Sequence, residues 1–314
     1  MEAVRETLAK FGKAWTPDVP PALLKVYEPL QAQQNAKYGS DIQTEKALKY
    51  GPDDRNRIDV YSPASGTSGR PVVVYFHGGG LVGGDNDHTP NIYANIGNYF
   101  TKHGCITCLA TYRLALKTGH HPNGAEDVQA ALQWVQANIQ RYGGDPSKVV
   151  AMGQSAGGVH LLTALFLGYL DPNPKPLAAG LVSLSGVFTM DDSDPQRVKA
   201  LASWFRAENT FEVNGRWGPL ALFRQQYFGT ATTPPRGVFP YKLKMLVGEF
   251  EADEILDGTF AFVHEHRKRF GRLPLLEVLE GHNHVSYCFG LGLEDPIHEA
   301  VGKKLLGYVE EFTQ

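Results

Sequence analysis

The chain has 314 residues, of which 42% are hydrophobic and 20% charged, and its 30 Lys+Arg against 33 Asp+Glu leave a formal net charge of −3. These proportions exclude a disordered, collagen-like or low-complexity chain, and the near balance of charge implies no nucleic acid or other polyelectrolyte partner. The length permits two modest domains or one large α/β domain with insertions, and the motifs below favour a single domain over 1–314.

Residues 1–40 are rich in Ala, Leu, Lys and Gln and are interrupted by Pro17, Pro20, Pro21 and Pro29, which predicts short helices forming an N-terminal arm or cap. The first 13 residues carry Glu2, Arg5, Glu6, Lys10 and Lys13 and show no apolar signal-peptide centre, so the expected location is cytoplasmic. From Ile42 the pattern changes to strands over 42–50 and 57–61, separated by the turn signal Gly51-Pro52-Asp53-Asp54; this predicts an antiparallel hairpin.

Six short apolar runs follow, over 72–76, 106–110, 149–152, 181–184, 243–247 and 275–279, alternating with helix-length segments. Such runs are buried strands of a largely parallel sheet, eight-stranded with the hairpin. Residues 125–141 place Val128, Leu132, Val135 and Ile139 at helical spacing before the stop signal Gly143-Gly144-Asp145-Pro146, as a crossover helix does. Residues 159–170 are apolar but too short to span a membrane, and read as a buried helix. Residues 187–241 are too long for one crossover and form an expected cap insertion between the sixth and seventh strands. Its nine aromatics (Trp204, Phe205, Phe211, Trp217, Phe223, Tyr227, Phe228, Phe239, Tyr241) suggest a lid lining an apolar pocket.

The residues able to do chemistry gather where strands end. Gly153-Gln154-Ser155-Ala156-Gly157 joins a strand directly to a helix, the context that a GxSxG nucleophile turn needs. Ser155 then sits at the positive end of a helix dipole. His77-Gly78-Gly79-Gly80 follows another strand, and backbone N–H groups of Gly79 and Gly80, with that of Ala156, are candidate donors to a tetrahedral oxyanion. His77 itself reads as a loop-shaping residue. A serine nucleophile needs a base, for which Gly281-His282-Asn283-His284 supplies two candidates after the last strand. The base needs a carboxylate, and Glu249, Glu251, Asp253 and Glu254 crowd the loop after the strand at 243–247; Glu251 is the first choice and Asp253 the second.

Other groups rank lower. Cys105 and Cys108 point to opposite faces of a strand, so neither a disulfide, a metal nor a redox pair is expected, and three cysteines including Cys288 are no disulfide scaffold. His282 and His284 lack a third metal ligand at suitable spacing. His264 and His266 lie in a basic helical stretch expected to be solvated, and His120-His121 in a surface loop.

Together these motifs resemble a serine esterase of the α/β-hydrolase superfamily, in the hormone-sensitive-lipase-like and kynurenine-formamidase-like group. Thr111-Tyr112-Arg113-Leu114, Glu126-Asp127-Val128 with Trp134, and Tyr142-Gly143-Gly144-Asp145-Pro146 add to the resemblance, which covers roughly residues 45–312. It implies an α/β-hydrolase fold and His284 as base, because the family base precedes an apolar or aromatic residue, as His284 precedes Val285. Glu251 occupies the place of the family's usual Asp, and Ala252 that of a proline; Gln154 and Leu81 replace a common Asp and a common aromatic. The expected activity is cofactor-independent hydrolysis of esters with small to medium apolar acyl groups. Acyl transfer or lactone formation by the same triad, and a silent ligand-binding protein, are the alternatives. The expected partner is a small-molecule ester, with a homodimer possible and neither cofactor nor metal required.

Overall fold

Three strands keep to the expected apolar runs within two residues (70–76, 106–110 and 180–184), whereas those at 144–154, 243–250 and 275–283 extend beyond theirs. In the computed structural model, which describes all residues except 39–40, 67, 172–174, 233 and 240, the chain opens with helices α1 (Glu2–Phe11) and α2 (Val19–Ala36). Residues 39–40 at the end of the expected arm and 233 and 240 of the expected insertion therefore lie outside the described residues. Then come strands β1 (Ile42–Lys49), β2 (Arg57–Pro63) and β3 (Arg70–Phe76), α3 (Ala94–Lys102), β4 (Ile106–Ala110), α4 (Asn123–Asn138), β5 (Gly144–Gln154), α5 (Ala156–Leu167) and β6 (Gly180–Leu184). Helices α6 (Pro195–Phe205), α7 (Thr210–Arg216) and α8 (Pro219–Phe228) precede β7 (Leu243–Phe250), α9 (Asp253–Phe270), β8 (Leu275–Asn283), α10 (Ser286–Phe289) and α11 (Pro296–Thr313).

The eight strands form one sheet in the order β1-β2-β4-β3-β5-β6-β7-β8. β2 runs antiparallel to both β1 and β4, and every pair from β4 onward is parallel. This is the α/β-hydrolase arrangement expected from the sequence. Alternation along β3 shows why its run is continuously apolar: Val72, Val74 and Phe76 enter the core beneath α4, α5 and α8, while Val73 and Tyr75 enter the core beneath α2, α3 and α11. Each fully buried side chain of this kind contributes roughly 1.5–3 kcal/mol. α5 is buried from Ala156 to Phe166, as a helix that is apolar on all sides must be.

Several expectations need correction. α2 runs unbroken through Pro29 for 18 residues, because Val19, Leu23, Tyr27 and Gln31 anchor one face to the core and offset one lost backbone donor. The insertion is only partly a lid: α8 packs Leu220, Phe223 and Tyr227 into the main core with Phe262 of α9. Helices α6 and α7 instead contribute Leu201, Trp204, Phe205 and Val213 to a separate cluster with Leu81, Ala156 and Val159. His266 is buried, not solvated. It faces inward on α9 among Phe223, Phe239, Phe262 and Phe270, while His264 and Lys268 take the exposed side. His121 is half-buried between Phe205 and Trp217 rather than on an open loop. The three cysteines are free and buried, with Cys105 and Cys108 in the two opposite cores.

Candidate active site

The turn between β5 and α5 holds Ser155 at φ 50°, ψ −113°, a strained conformation for a residue with a side chain. The turn closes this tightly because its flanks lack side chains: a Cβ on Gly157 would lie 2.2 Å from the carbonyl oxygen of Phe76. The Ser155 N–H donates to the Leu184 carbonyl at 2.9 Å, fixing the turn to β6. Ser155 is the residue just before α5, so the first N–H groups of that helix, including Ala156, have no acceptor within the helix.

His284 stands just past β8 and its Nε2 is 2.8 Å from Ser155 Oγ. Its Nδ1 is 2.8 Å from Glu251 Oε1, just past β7. A carboxylate only accepts, so Nδ1 donates and Nε2 is left to accept the serine hydroxyl. Burial raises the Glu251 carboxyl, but His284, through charge and hydrogen bond, together with hydrogen bonds from Ser185 and the Ala252 N–H, holds the group below its ordinary value. The Ala252 N–H also donates to Glu251 Oε1, at 3.1 Å.

The rival candidates are placed elsewhere. Asp253 is two-thirds exposed and pairs with Lys13 at 2.7 Å. Glu254 pairs with Arg197 at 2.9 Å, and Glu249 Oε2 accepts from the Gly281 N–H. His282 is fully buried behind the loop, 2.9 Å from Ser286 Oγ and edge-on to His298; burial pushes it down to about 3.

The glycine loop after β3 faces Ser155. Gly79 has φ 140° and Gly80 φ 60°, and a Cβ on Gly79 would lie 2.2 Å from the Gly83 carbonyl oxygen, so the loop turns back on itself in a way only glycine allows. His77 has no solvent exposure, stacks on Tyr112 and donates from Nδ1 to the Gly78 carbonyl at 2.7 Å. Burial pushes it down to about 4, so neutral Nε2 accepts from the Arg55 guanidinium at 3.2 Å. Arg55 also donates to the Gly84 carbonyl at 2.8 Å and pairs with Asp85, which Arg57 holds as well. Gln154 is buried between the Ser155 turn and the His284 loop: its Nε2 donates to the His284 carbonyl at 3.0 Å.

A cavity of about 380 Å³ opens over Ser155 and His284. None of the nine insertion aromatics lines it; the insertion contributes Val187, Met190, Ala200 and Leu201 among others, while seven of its aromatic side chains turn toward the cores and Phe211 and Phe228 are exposed. The aromatic walls come from Trp15, Tyr93 and Phe289. Trp15 carries no local sequence signal, since more than 200 residues separate it from the loop it meets. Arg55 and Asp85 were similarly missed, although an acid four residues beyond Leu81, at the end of a glycine-rich loop, was a readable sign. Among the described residues there is no cluster of three or more His, Cys, Asp or Glu able to hold a metal, and no helix long and apolar enough to cross a membrane.

Comparison with known proteins agrees with this architecture. The chain is 38% identical over 156 residues to carboxylesterase 3B of Mus musculus, covering 44% of this chain and 25% of that protein. It is 33% identical over 184 residues to liver carboxylesterase 1F of Rattus norvegicus, covering 52% and 32%. The chain thus spans about a quarter to a third of the length of these curated relatives. Among solved structures, an esterase from the bacterial hormone-sensitive lipase family superposes with a TM-score of 0.65 at 22% identity, covering 100% of this chain and 99% of that one. A bacterial heroin esterase superposes with a TM-score of 0.69 at 18% identity, covering 100% and 98%. At these identities the likeness speaks for the fold. The BD-FAE family model matches residues 58–216, just over half of the chain and including the glycine loop and the Ser155 turn, and the chain belongs to that family.

Proposed function

We propose that this protein is a carboxylic ester hydrolase that works through an acyl-Ser155 intermediate. The observation that carries the reading is the pair of 2.8 Å hydrogen bonds joining Ser155, His284 and Glu251 beside an apolar cavity. His284 Nε2 takes the hydroxyl proton as Ser155 Oγ attacks the ester carbonyl carbon. The N–H groups of Gly79, Gly80 and Ala156 hold the oxyanion. The C–O bond to the alcohol then breaks, its oxygen takes the proton from Nε2, and the acyl group remains on Ser155. Water, deprotonated by His284, attacks the acyl carbon; the bond from that carbon to Ser155 Oγ breaks, Oγ takes the proton back from Nε2, and the acid leaves. Glu251 stabilises the imidazolium in both halves. No cofactor is needed for these steps.

The cavity volume suits small to medium apolar acyl groups, with Val187, Met190, Ala200 and Leu201 of the insertion acting as its cap. The carboxylesterase names of the curated relatives support the reaction class. The mostly apolar walls also favour a second reading, transfer of the acyl group to an alcohol, since excluding water slows hydrolysis. Hydrolysis of 4-nitrophenyl esters from acetate to decanoate by the wild type and by Ser155→Ala tests the first reading. Turnover lost in the variant, with an optimum among the shorter chains, is the expected result; equal turnover in both would overturn it. Mass spectrometry of products with added alcohol separates the second, and water products alone would exclude it.

A further inference from the structure

We infer that Trp15 selects the alcohol half of the substrate, and that the esters handled best carry a flat aromatic leaving group. The inference rests on the hydrolase reading above. Its physical basis is an asymmetry in the cavity, whose two apolar walls belong to different parts of the molecule. Leu81, Val159, Met190 and Leu201 form one wall, in the cluster that packs around Ala156 and the cap helices α6 and α7. Val285 and Phe289 belong to the core on the other side of the sheet, and Trp15 packs against that core.

Trp15 also touches the base. Its ring centroid lies 4.5 Å from that of His284, with the planes at 66°. During acylation only His284 Nε2 carries the proton that the leaving oxygen needs, so that oxygen must come within hydrogen-bond distance of Nε2. The group attached to it therefore departs along the His284 wall. The acyl carbon is bound to Ser155 Oγ with its oxyanion toward Gly79, Gly80 and Ala156, which leaves the opposite wall, that of Val159 and Leu201, to the acyl chain.

The indole is held in place before any substrate arrives. It lies in the connection between α1 and α2, where the Val19 N–H donates to the Thr16 carbonyl at 3.0 Å. α2 is in turn fastened to the segment after the base: Gln31 Nε2 donates to the Phe289 and Leu291 carbonyls at 2.7 and 3.1 Å, and Tyr27 Oη lies 3.0 Å from His298 Nε2. A fixed flat wall binds without paying the entropy of ordering a side chain. It also favours aromatic over alkyl groups, because ring pairs gain from their quadrupoles beyond the area they bury.

Phenyl acetate and ethyl acetate share the acyl group and differ in the alcohol, so the ratio of variant to wild-type kcat/KM on each isolates the alcohol wall. Trp15→Ala is expected to lower kcat/KM for phenyl acetate by about tenfold and for ethyl acetate by less than about threefold, with Trp15→Phe recovering most of the loss. Equal loss on both esters, or no loss on phenyl acetate, would overturn the assignment. Binding of phenol to Ser155→Ala, measured by calorimetry with and without Trp15→Ala, reads the same wall without turnover. The dissociation constant is expected to rise about tenfold, and an unchanged value overturns the assignment. A wild type inactive on every ester would remove the hydrolase reading; Trp15-dependent phenol binding would still support the aryl site.

Discussion

Replacing Glu251 with Gln keeps the size of the side chain and removes the charge that faces His284. The Glu251 side chain is fully buried and its Oε1 lies 2.8 Å from Nδ1. In the proposed mechanism His284 takes the Ser155 proton, and an imidazolium forms against that carboxylate. With an effective dielectric constant of about 20, opposite charges at 2.8 Å attract by roughly 6 kcal/mol, which corresponds to about 10⁴ in rate. The same order of loss follows when a triad acid is replaced by its amide in serine proteases. Asp253→Asn is the internal control: that carboxylate is 67% exposed and pairs with an equally exposed Lys13, so screening leaves less than about a threefold change. Steady-state kcat/KM on 4-nitrophenyl acetate, with circular dichroism to establish folding, distinguishes the two. A folded Glu251→Gln protein within about tenfold of the wild type, or an Asp253→Asn protein that loses as much as Glu251→Gln, would refute the reasoning.

Three further outcomes follow from the geometry. Arg55→Ala removes the 2.8 Å bond to the Gly84 carbonyl and the pairing with Asp85, so kcat should fall roughly 10–100-fold with KM changed less than about threefold; an unchanged kcat in the folded variant would exclude Arg55 from supporting the glycine loop. Gly157→Ala drives a Cβ to 2.2 Å from the Phe76 backbone oxygen, which cannot swing away as a side chain end would; a loss of about 2 kcal/mol or more in urea unfolding is expected, and wild-type stability would contradict the close approach. The folded carboxyl of Glu251 is held below its ordinary value of 4.5, so the unfolded chain binds the extra proton first. Its contribution is complete above about pH 4.5 and is lost as pH falls through the lowered folded value. Unfolding midpoints of Glu251→Gln should therefore depend less steeply on pH in that acid range than those of the wild type, and parallel curves would contradict the ion pair.

Much of this architecture is local and therefore legible in the chain itself. The strands contain the apolar runs because each residue of a doubly covered strand faces one core or the other, as Val72 to Phe76 do. The Ser155 turn and the glycine loop are legible for a related reason: strained or closely approached backbone admits few residue types, so Gly79 and Gly157 mark their own geometry. Chain order places Ser155, an acid loop and a histidine loop at one edge of the sheet without any knowledge of distances.

Choices between chemically equal neighbours are not local. Glu251 and Asp253 differ by two residues, yet one is fully buried against His284 and the other is solvated beside Lys13, because the strand ends at Phe250 and the helix begins at Asp253. The same holds for His282 and His284. The insertion aromatics pointed to a pocket lining by composition, whereas packing turned most of them toward the cores and brought Trp15 to His284 instead. Burial depends on what lies across the space, and for Trp15 that neighbour is His284, a contact made only when the amino-terminal arm folds back over the closed sheet.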